Sequence, residues 1–376
     1  LASEIGLQKA TITNIINEFL EMGIIAIDGD LASGRRGENI RLKLDGIYIM
    51  SIAITRKDYQ IGVFSLSGVQ IQHVRYQFAM EEDFRIVIGR LKENALALVE
   101  KLGKKKIAGV CLAVPGPYIR KESIGNDMFQ VSEFEQLSQI DIRTELEAAL
   151  GLAVMIKHDA KLSAYAEWRN LKEAQEDKNV SLVVIRSRGF GIGAGIIING
   201  KIVEGQLGIA GEVGHMGINY NKKRSRNERE GTFEYGAGTE SAIRYMQEQL
   251  YAYPDSLLHE NSTYMEIAKA YQAGDPLAVY AIEKMAWMLG FGIANLIYFI
   301  NPDCVILGPD YPNSNAFLDK VRQVIKDLVH PPISDRVMIR YSALDEDSFL
   351  LGGYYYTLER LYKENLILEI IRQTMD

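Results

Sequence analysis

The run Arg188-Gly189-Phe190-Gly191-Ile192-Gly193-Ala194-Gly195, followed by Gly211-Glu212-Val213-Gly214-His215, decides how the rest of the chain is read. Four glycines stand two residues apart. In a strand, side chains alternate between faces, so all four share one face. That face is bare backbone, open to close approach by a ligand or another segment, and the intervening Ile192 and Ala194 fill a buried opposite face. Taken alone, the glycines also suit a tight hairpin or bulge. The carboxylate of Glu212 and the imidazole of His215, three positions on from it, turn the reading toward a site.

Outward from this run the chain reads as a multi-domain α/β protein. A length of 376 residues suits two or three domains and a substantial core. The two cysteines, Cys111 and Cys304, sit in apolar runs and read as small buried hydrophobes of a reducing compartment, hence a cytoplasmic location. No signal peptide is visible. The longest apolar candidate, around Met288 to Ile300, contains Gly290, Gly292, Asn295 and Tyr298 and reads as a buried helix with no membrane insertion. A net charge of −7 creates no global basic field, so any nucleic-acid contact must be local. The chain opens at Leu1 within a recognisable pattern, which implies a preceding segment.

Residues 1–45 read as a winged helix-turn-helix. Ala2 to Ile5 is a helical fragment and Gly6-Leu7 a turn; a helix from Lys9 to Met22 carries the stripe Ile12, Ile15, Ile16, Phe19 and Leu20 and ends at Gly23. Strands at Ile24–Asp28 and Ile40–Leu44 flank a glycine-rich tip holding Arg35 and Arg36. The helix face away from the stripe presents Gln8, Lys9, Thr11, Thr13 and Asn14, suited to base edges and phosphates, while the wing arginines suit a phosphate or a narrow minor groove. Five basic against seven acidic residues in this segment weigh against DNA, and a protein-interaction module is the alternative.

The body begins with strands at Ile47–Thr55, Tyr59–Leu66 and Val69–Phe78. A helix from Glu82 to Leu102 comes next, with Ile86, Ile88, Leu91, Ala95, Leu98 and Val99 toward a core. The apolar strand Ile107–Val114 ends in Pro115-Gly116-Pro117, at a strand end where ligands collect in α/β folds. The strand Leu152–Ile156 runs into His158-Asp159 and a helix over 160–172, where Asp159 is either a helix cap or a group for base catalysis or hydroxyl binding. A second set of strands, then a long helix Pro276–Phe299 and a strand Cys304–Leu307, suggests an internal duplication of the actin/hexokinase type.

These motifs together resemble the ROK family of repressors, open reading frames and sugar kinases. They are VPGP at 114–117, HDAKLSAYAEW at 158–168, GFGIGAGIIINGKIVEG at 189–205, GIAGEVGH at 208–215, INPDCVILG at 300–308 and LGG at 351–353. The resemblance implies a two-lobed, actin-like (hexokinase-type) α/β body behind the winged helix-turn-helix. The lobes are expected at 46–156 and 157–357, with residues 358–376 returning to the first. It also implies that Asp159, His158, Glu212, His215 and Glu234 bind sugar near Gly116, with Gln130 replacing a family asparagine.

The nucleotide side departs from the family's kinases. Ile52-Ala53-Ile54-Thr55-Arg56 stands where an acidic, glycine-rich phosphate loop is expected, Phe190 replaces a hydroxyl residue, and Gly308-Pro309 replaces a Gly-Gly pair. Phosphoryl transfer rests on positioning phosphates and metal, so no catalytic residue is assigned. The family's zinc cysteines map onto Ser225, Asn227 and Thr232, so no zinc and no other cofactor is expected. The segment Asn221–Glu230 is read as charged and mobile. The resemblance thus leads to the expectation of a sugar-responsive transcriptional repressor that binds operator DNA and a sugar or sugar phosphate as a homodimer or tetramer. An active sugar kinase with a regulatory head, and a regulator sequestered by a protein partner, are the alternatives.

Overall fold

The computed structural model describes residues 6–21, 25–28, 39–42, 46–79, 81–116, 118–119, 128–129, 135–188, 191–219 and 229–375. Ala2 to Ile5, Gly23, Arg35, Arg36, Pro117, Gln130, Gly189, Phe190, Ser225 and Asn227 lie outside the described residues.

Two sheets with one topology form the body. In chain order the strands are β1 Ile25–Asp28, β2 Asn39–Leu42, β3 Tyr48–Ile54, β4 Asp58–Ser65, β5 Gln70–Gln77 and β6 Ile107–Val114. They continue with the short pair β7 Tyr118–Ile119 and β8 Met128–Phe129, then β9 Val154–His158, β10 Leu182–Arg188, β11 Gly191–Ile198, β12 Lys201–Ile202, β13 Cys304–Leu307 and β14 Met338–Tyr341. The first sheet runs β5-β4-β3-β6-β9 and the second β12-β11-β10-β13-β14. In each, the first three strands pair antiparallel and the last two add in parallel. The repeated order is the duplication that the weak similarity between the halves only suggested. It makes the body a two-lobed, actin-like α/β fold.

The helices that frame the core and the site are α1 Lys9–Glu21, α2 Phe84–Leu102, α3 Asp159–Asn170, α4 Phe233–Ala237, α5 Pro276–Ile300, α6 Ser348–Lys363 and α7 Leu366–Met375. Helix α2 covers one face of the first sheet through Phe84, Val87, Ile88, Leu91, Ala95 and Leu98. Ile86 falls off this stripe and is 52% exposed, contrary to its expected inward position; the helix begins at Phe84 behind the Asp83 cap, and Val87 takes the inward place. Helix α5 is the spine of the second lobe's core. It is long and apolar enough to cross a membrane, beyond the shorter run read from the sequence, but 61% of its apolar window is buried inside the protein.

Helices α3 and α6 lie between the two sheets. Leu162 of α3 joins Phe349, Leu350 and Tyr354 of α6 against Ile49, Ala53, Cys111 and Ala113 of the first sheet. Ala164, Tyr165 and Trp168 of α3 pack on Leu182, Val184, Cys304 and Ile306 of the second. Both cysteines are buried and unpaired, and burial pushes the Cys111 thiol up to about 12. A single helix runs through residues 357 and 358, where a boundary was expected, and Phe349, Leu350, Tyr354 and Leu361 on either side of it belong to one cluster.

In the head, β1 and β2 pair antiparallel from Ile25↔Leu42 to Asp28↔Asn39. Ile12 of α1 is buried, and Ile16, Phe19 and Leu20 pack into the cluster that also holds Leu366, Ile367 and Ile370 of α7. The inward face of the head helix thus packs into a cluster that holds Ile25 of β1 and is continuous with the C-terminal helices.

Candidate functional site

The glycine strand is bare at Gly193 and Gly195 because the start of helix α3 presses on that face. A Cβ on Gly195 would stand 2.3 Å from the Ala160 carbonyl oxygen and from Ala164 Cβ, so helix α3 occupies that face. Ile192, Ala194 and Ile196 turn into the opposite core. Along the strand's edge, the Ala194 N–H donates to the Gly211 carbonyl at 2.8 Å. A Cβ on Gly211 would meet Ala194 O at 2.0 Å, and one on Gly214 would meet Ile192 O at 2.4 Å and Glu234 Oε2 at 2.8 Å. The two glycines thus let the Glu212–His215 segment lie flat on β11, a role their spacing alone does not reveal.

This packing delivers the sugar-site candidates to one cleft of about 490 Å³ between the lobes. Gly116, His158, Asp159, Glu212, His215 and Glu234 all line it. His158 closes β9, and Asp159 is the first residue of α3. Asp159 is not the helix cap: His158 holds that position without a side-chain cap bond, and Asp159 Oδ1 accepts from the adjacent Ala160 N–H at 2.6 Å. His158 Nε2 lies 3.3 Å from Asp159 Oδ1, and His158 Nδ1 lies 3.8 Å from Glu212 Oε1. That Nδ1 is buried without a hydrogen-bond partner, a costly arrangement unless a ligand supplies one. A Cβ on Gly116 would fall 2.4 Å from His158 Nε2 and 2.6 Å from Glu212 Oε1, so the missing side chain keeps this cradle open. On the far wall Glu234 faces His215 Nδ1 at 4.0 Å and Arg229 Nε at 3.7 Å, and His215 is the exposed member. Arg229, near the end of the charged segment 221–230, lines the cleft as well; residues 221–228 lie outside the described residues.

A buried triad fixes this wall from behind. Lys161, 1% exposed, donates to the Gly208 carbonyl at 2.6 Å and lies 3.3 Å from Glu204 Oε2, while Lys157 donates to Glu204 Oε1 at 2.6 Å. Burial would raise the Glu204 pKa, but the two lysines overcome it and hold the carboxyl below its usual range. Burial lowers that of Lys161. With a depressed folded pKa, the Glu204 contribution is present above the ordinary carboxylate range and is lost as pH falls through the folded value. Glu204→Gln is expected to cost about 3 kcal/mol at pH 7, because it strands buried ammonium groups. It should also flatten the acid limb of stability, as urea melts at pH 7 and pH 4 would reveal.

The other half of the cleft is lined by paired charges of the protein itself. In the β3–β4 turn, Thr55 and Asp58 bond each other, and Arg75 Nε reaches Asp58 at 2.6 Å. Gln60 donates to Asp347 at 2.7 Å. Arg186, side chain 6% exposed, ends the apolar run of β10 and pairs with Asp310 at 2.7 Å. Burial opposes its charge, and Asp310 outweighs this, with Asp159 among the further carboxylates that raise its pKa. Gly308 makes room: a Cβ there would lie 2.5 Å from Arg186 Cδ. No motif marks Arg186, Asp310, Arg75 or Gln60, and sequence reasoning misses all four. The available signal is a charge breaking the buried run Leu182–Ile185.

The zinc position does not fit a metal. Thr232, at the third mapped site, is buried and accepts from the Tyr235 N–H at 3.2 Å as the cap of α4. The Arg229 cation stands beside Glu234.

In the head, Gln8, Lys9, Thr11, Thr13 and Asn14 are all exposed. The Thr13 hydroxyl bonds back to the Lys9 carbonyl at 3.0 Å.

Comparison with known proteins places these features. A xylose repressor from Caldicellulosiruptor bescii is 28% identical over 368 residues, spanning 93% of this chain and 88% of that protein. A glucokinase from Halalkalibacterium halodurans is 28% identical over 221 residues, 56% of this chain and 66% of that one. The crystal structure of a ROK family transcriptional regulator, a homologue of the E. coli MLC protein, superposes with a TM-score of 0.78 at 22% identity. That match covers 98% of this chain and 93% of the other. The ROK family profile matches residues 49–359, the whole two-lobed body from β3 to α6, and the chain therefore belongs to the ROK family.

Proposed function

We propose that the chain is a sugar-responsive transcriptional repressor without kinase activity, acting in the cytoplasm as a homodimer or tetramer. The observation that carries this reading is the asymmetry of the cleft. Its sugar half keeps the Asp159, His158 and Glu212 cradle with an orphaned ring nitrogen, while its other half holds the Arg186–Asp310 pair. Acceptors and an imidazole suit vicinal hydroxyls. The exposed Gln8 and the Lys9, Thr11 and Asn14 face of α1 that follows it, with the β1–β2 wing, support operator contact. Repressor relatives over nearly the full chain support the same assignment.

The mechanism is differential binding. Sugar favours one angle between the lobes, α3 and α6 adjust between the sheets, and the apolar cluster shared by α1, α6 and α7 transmits the change to the head. Paired heads then miss the spacing of a palindromic operator. Sugar and operator must oppose each other by the same factor, typically about 5–150-fold. A gel shift with pentose and hexose additions tests this: at least one sugar should weaken operator binding within that range. Unchanged operator affinity across the panel would reject induction. The glucokinase relative favours a kinase instead; sugar-dependent ADP release abolished by Asp159→Asn would establish that reading over ours.

A further inference from the structure

Resting on the reading of Glu234 as a sugar contact, we propose that Arg244, which lies outside the cleft, is a positioning residue for that carboxylate. Helix α4 carries Glu234 and has five residues. So short a helix does not stand on its own hydrogen bonds. Its last four carbonyls find no partner within the helix and must be satisfied from elsewhere.

Each of the four is. The Glu234 carbonyl accepts from the Gly238 N–H at 2.9 Å. The Tyr235 carbonyl accepts from Arg244 Nη2 at 2.5 Å. The Gly236 carbonyl accepts from the Tyr245 hydroxyl at 2.9 Å, and the Ala237 carbonyl from the Tyr311 hydroxyl at 3.3 Å. At the other end Thr232 caps the helix, and the buried Phe233 ring fills a notch at Gly292 of α5, where a Cβ would stand 2.1 Å from Phe233 Cε2. The helix that presents Glu234 is therefore held from behind, by Arg244 and Tyr245 of the helix Thr239–Gln249 and by Tyr311 of the segment after β13.

Tyr245 and Tyr311 belong to the core of the second lobe, and removing either would leave a cavity. Arg244 stands at the edge of that core, its side chain 28% exposed. Its guanidinium lies 3.8 Å from the centre of the Tyr235 ring and 4.6 Å from that of Tyr245. Nη1 lies 3.3 Å from Glu248 Oε1. Neither Arg244, Tyr235, Tyr245 nor Glu248 lines the cleft. A cation held against two rings and donating to a carbonyl fixes the residue beside Glu234 in place. Toward the cleft the restraints on Glu234 are looser, with His215 Nδ1 at 4.0 Å and Arg229 Nε at 3.7 Å, both beyond hydrogen-bond length. The direction in which the carboxylate faces a sugar hydroxyl is thus set through the backbone of α4.

The test uses the full chain as parent, Arg244→Ala, Glu234→Gln and the double variant. Without sugar, the Gly236 and Gly238 amides of Arg244→Ala should exchange hydrogen about tenfold faster than in the parent, with the rest of the lobe unchanged. In titration calorimetry with the D-aldopentoses, D-glucose, D-galactose and D-mannose, Arg244→Ala should weaken the sugar that binds the parent by about tenfold. Operator affinity without sugar should stay at the parental value. In the Glu234→Gln background the same substitution should add little, because its effect runs through that carboxylate. Unchanged exchange, parental sugar affinity in Arg244→Ala, or losses that add in the double variant would each overturn the proposal while leaving the sugar site standing. If no sugar binds the parent, or Glu234→Gln binds as the parent does, the site reading falls and this inference with it.

Discussion

Gly352→Ala is expected to destabilise the protein by about 3 kcal/mol or more, the upper range for overpacking. The added Cβ would stand 2.0 Å from the Leu162 carbonyl oxygen, 2.4 Å from its carbon and 2.9 Å from Leu162 Cα. These are backbone atoms of α3, which the two sheets hold on both sides, so they have nowhere to retreat. Alanine's better helix propensity returns only about 0.5–1 kcal/mol. Gly89→Ala in α2 is the control: no atom lies within 4 Å of the new Cβ, and that variant should gain roughly this propensity term. Urea unfolding of both variants measures the contrast. A Gly352→Ala protein as stable as the parent would mean that α3 and α6 are not in rigid contact, and that the proposed route between the lobes is wrong.

Asp159→Asn is expected to weaken sugar binding by about ten- to a hundredfold while leaving operator affinity intact. Hydrogen bonds to a charged acceptor contribute about 1.5–3 kcal/mol, and the amide keeps only part of that. The fold should lose little. Asp159 stands in the first turn of α3, where a negative charge adds about 0.3–1 kcal/mol. The expected phenotype is a repressor that stays on its operator at sugar levels that release the parent. Calorimetry with the sugar, paired with sugar titration of the gel shift, reads both sides. Release at the parental sugar concentration would remove Asp159 from the site.

Much of this site is legible in the amino-acid order alone. Asp159 follows an apolar strand at a helix start, Glu212 and His215 stand in a glycine-flanked turn after the glycine strand, and Glu234 is marked by the family resemblance. The order of the second sheet is less legible, because more than a hundred residues separate β12 from β13. Least legible is the Arg186 network. Its partners Ser163, Asp310, Glu346 and Ser348 lie up to 162 positions away, and no local period links them. The misplacement of Ile86 is local: four positions back from Ile88 and Leu91 lie Phe84 and Val87, both buried, and Ile86 falls off that stripe.

The guanidinium wedged beneath the cleft also constrains the history of the chain. Discarding Asp310 alone would strand a buried cation, and discarding Arg186 alone would strand a buried anion; each single step descends by several kcal/mol. The two positions are therefore expected to change together or not at all, which ties the floor of the cleft to a single paired choice.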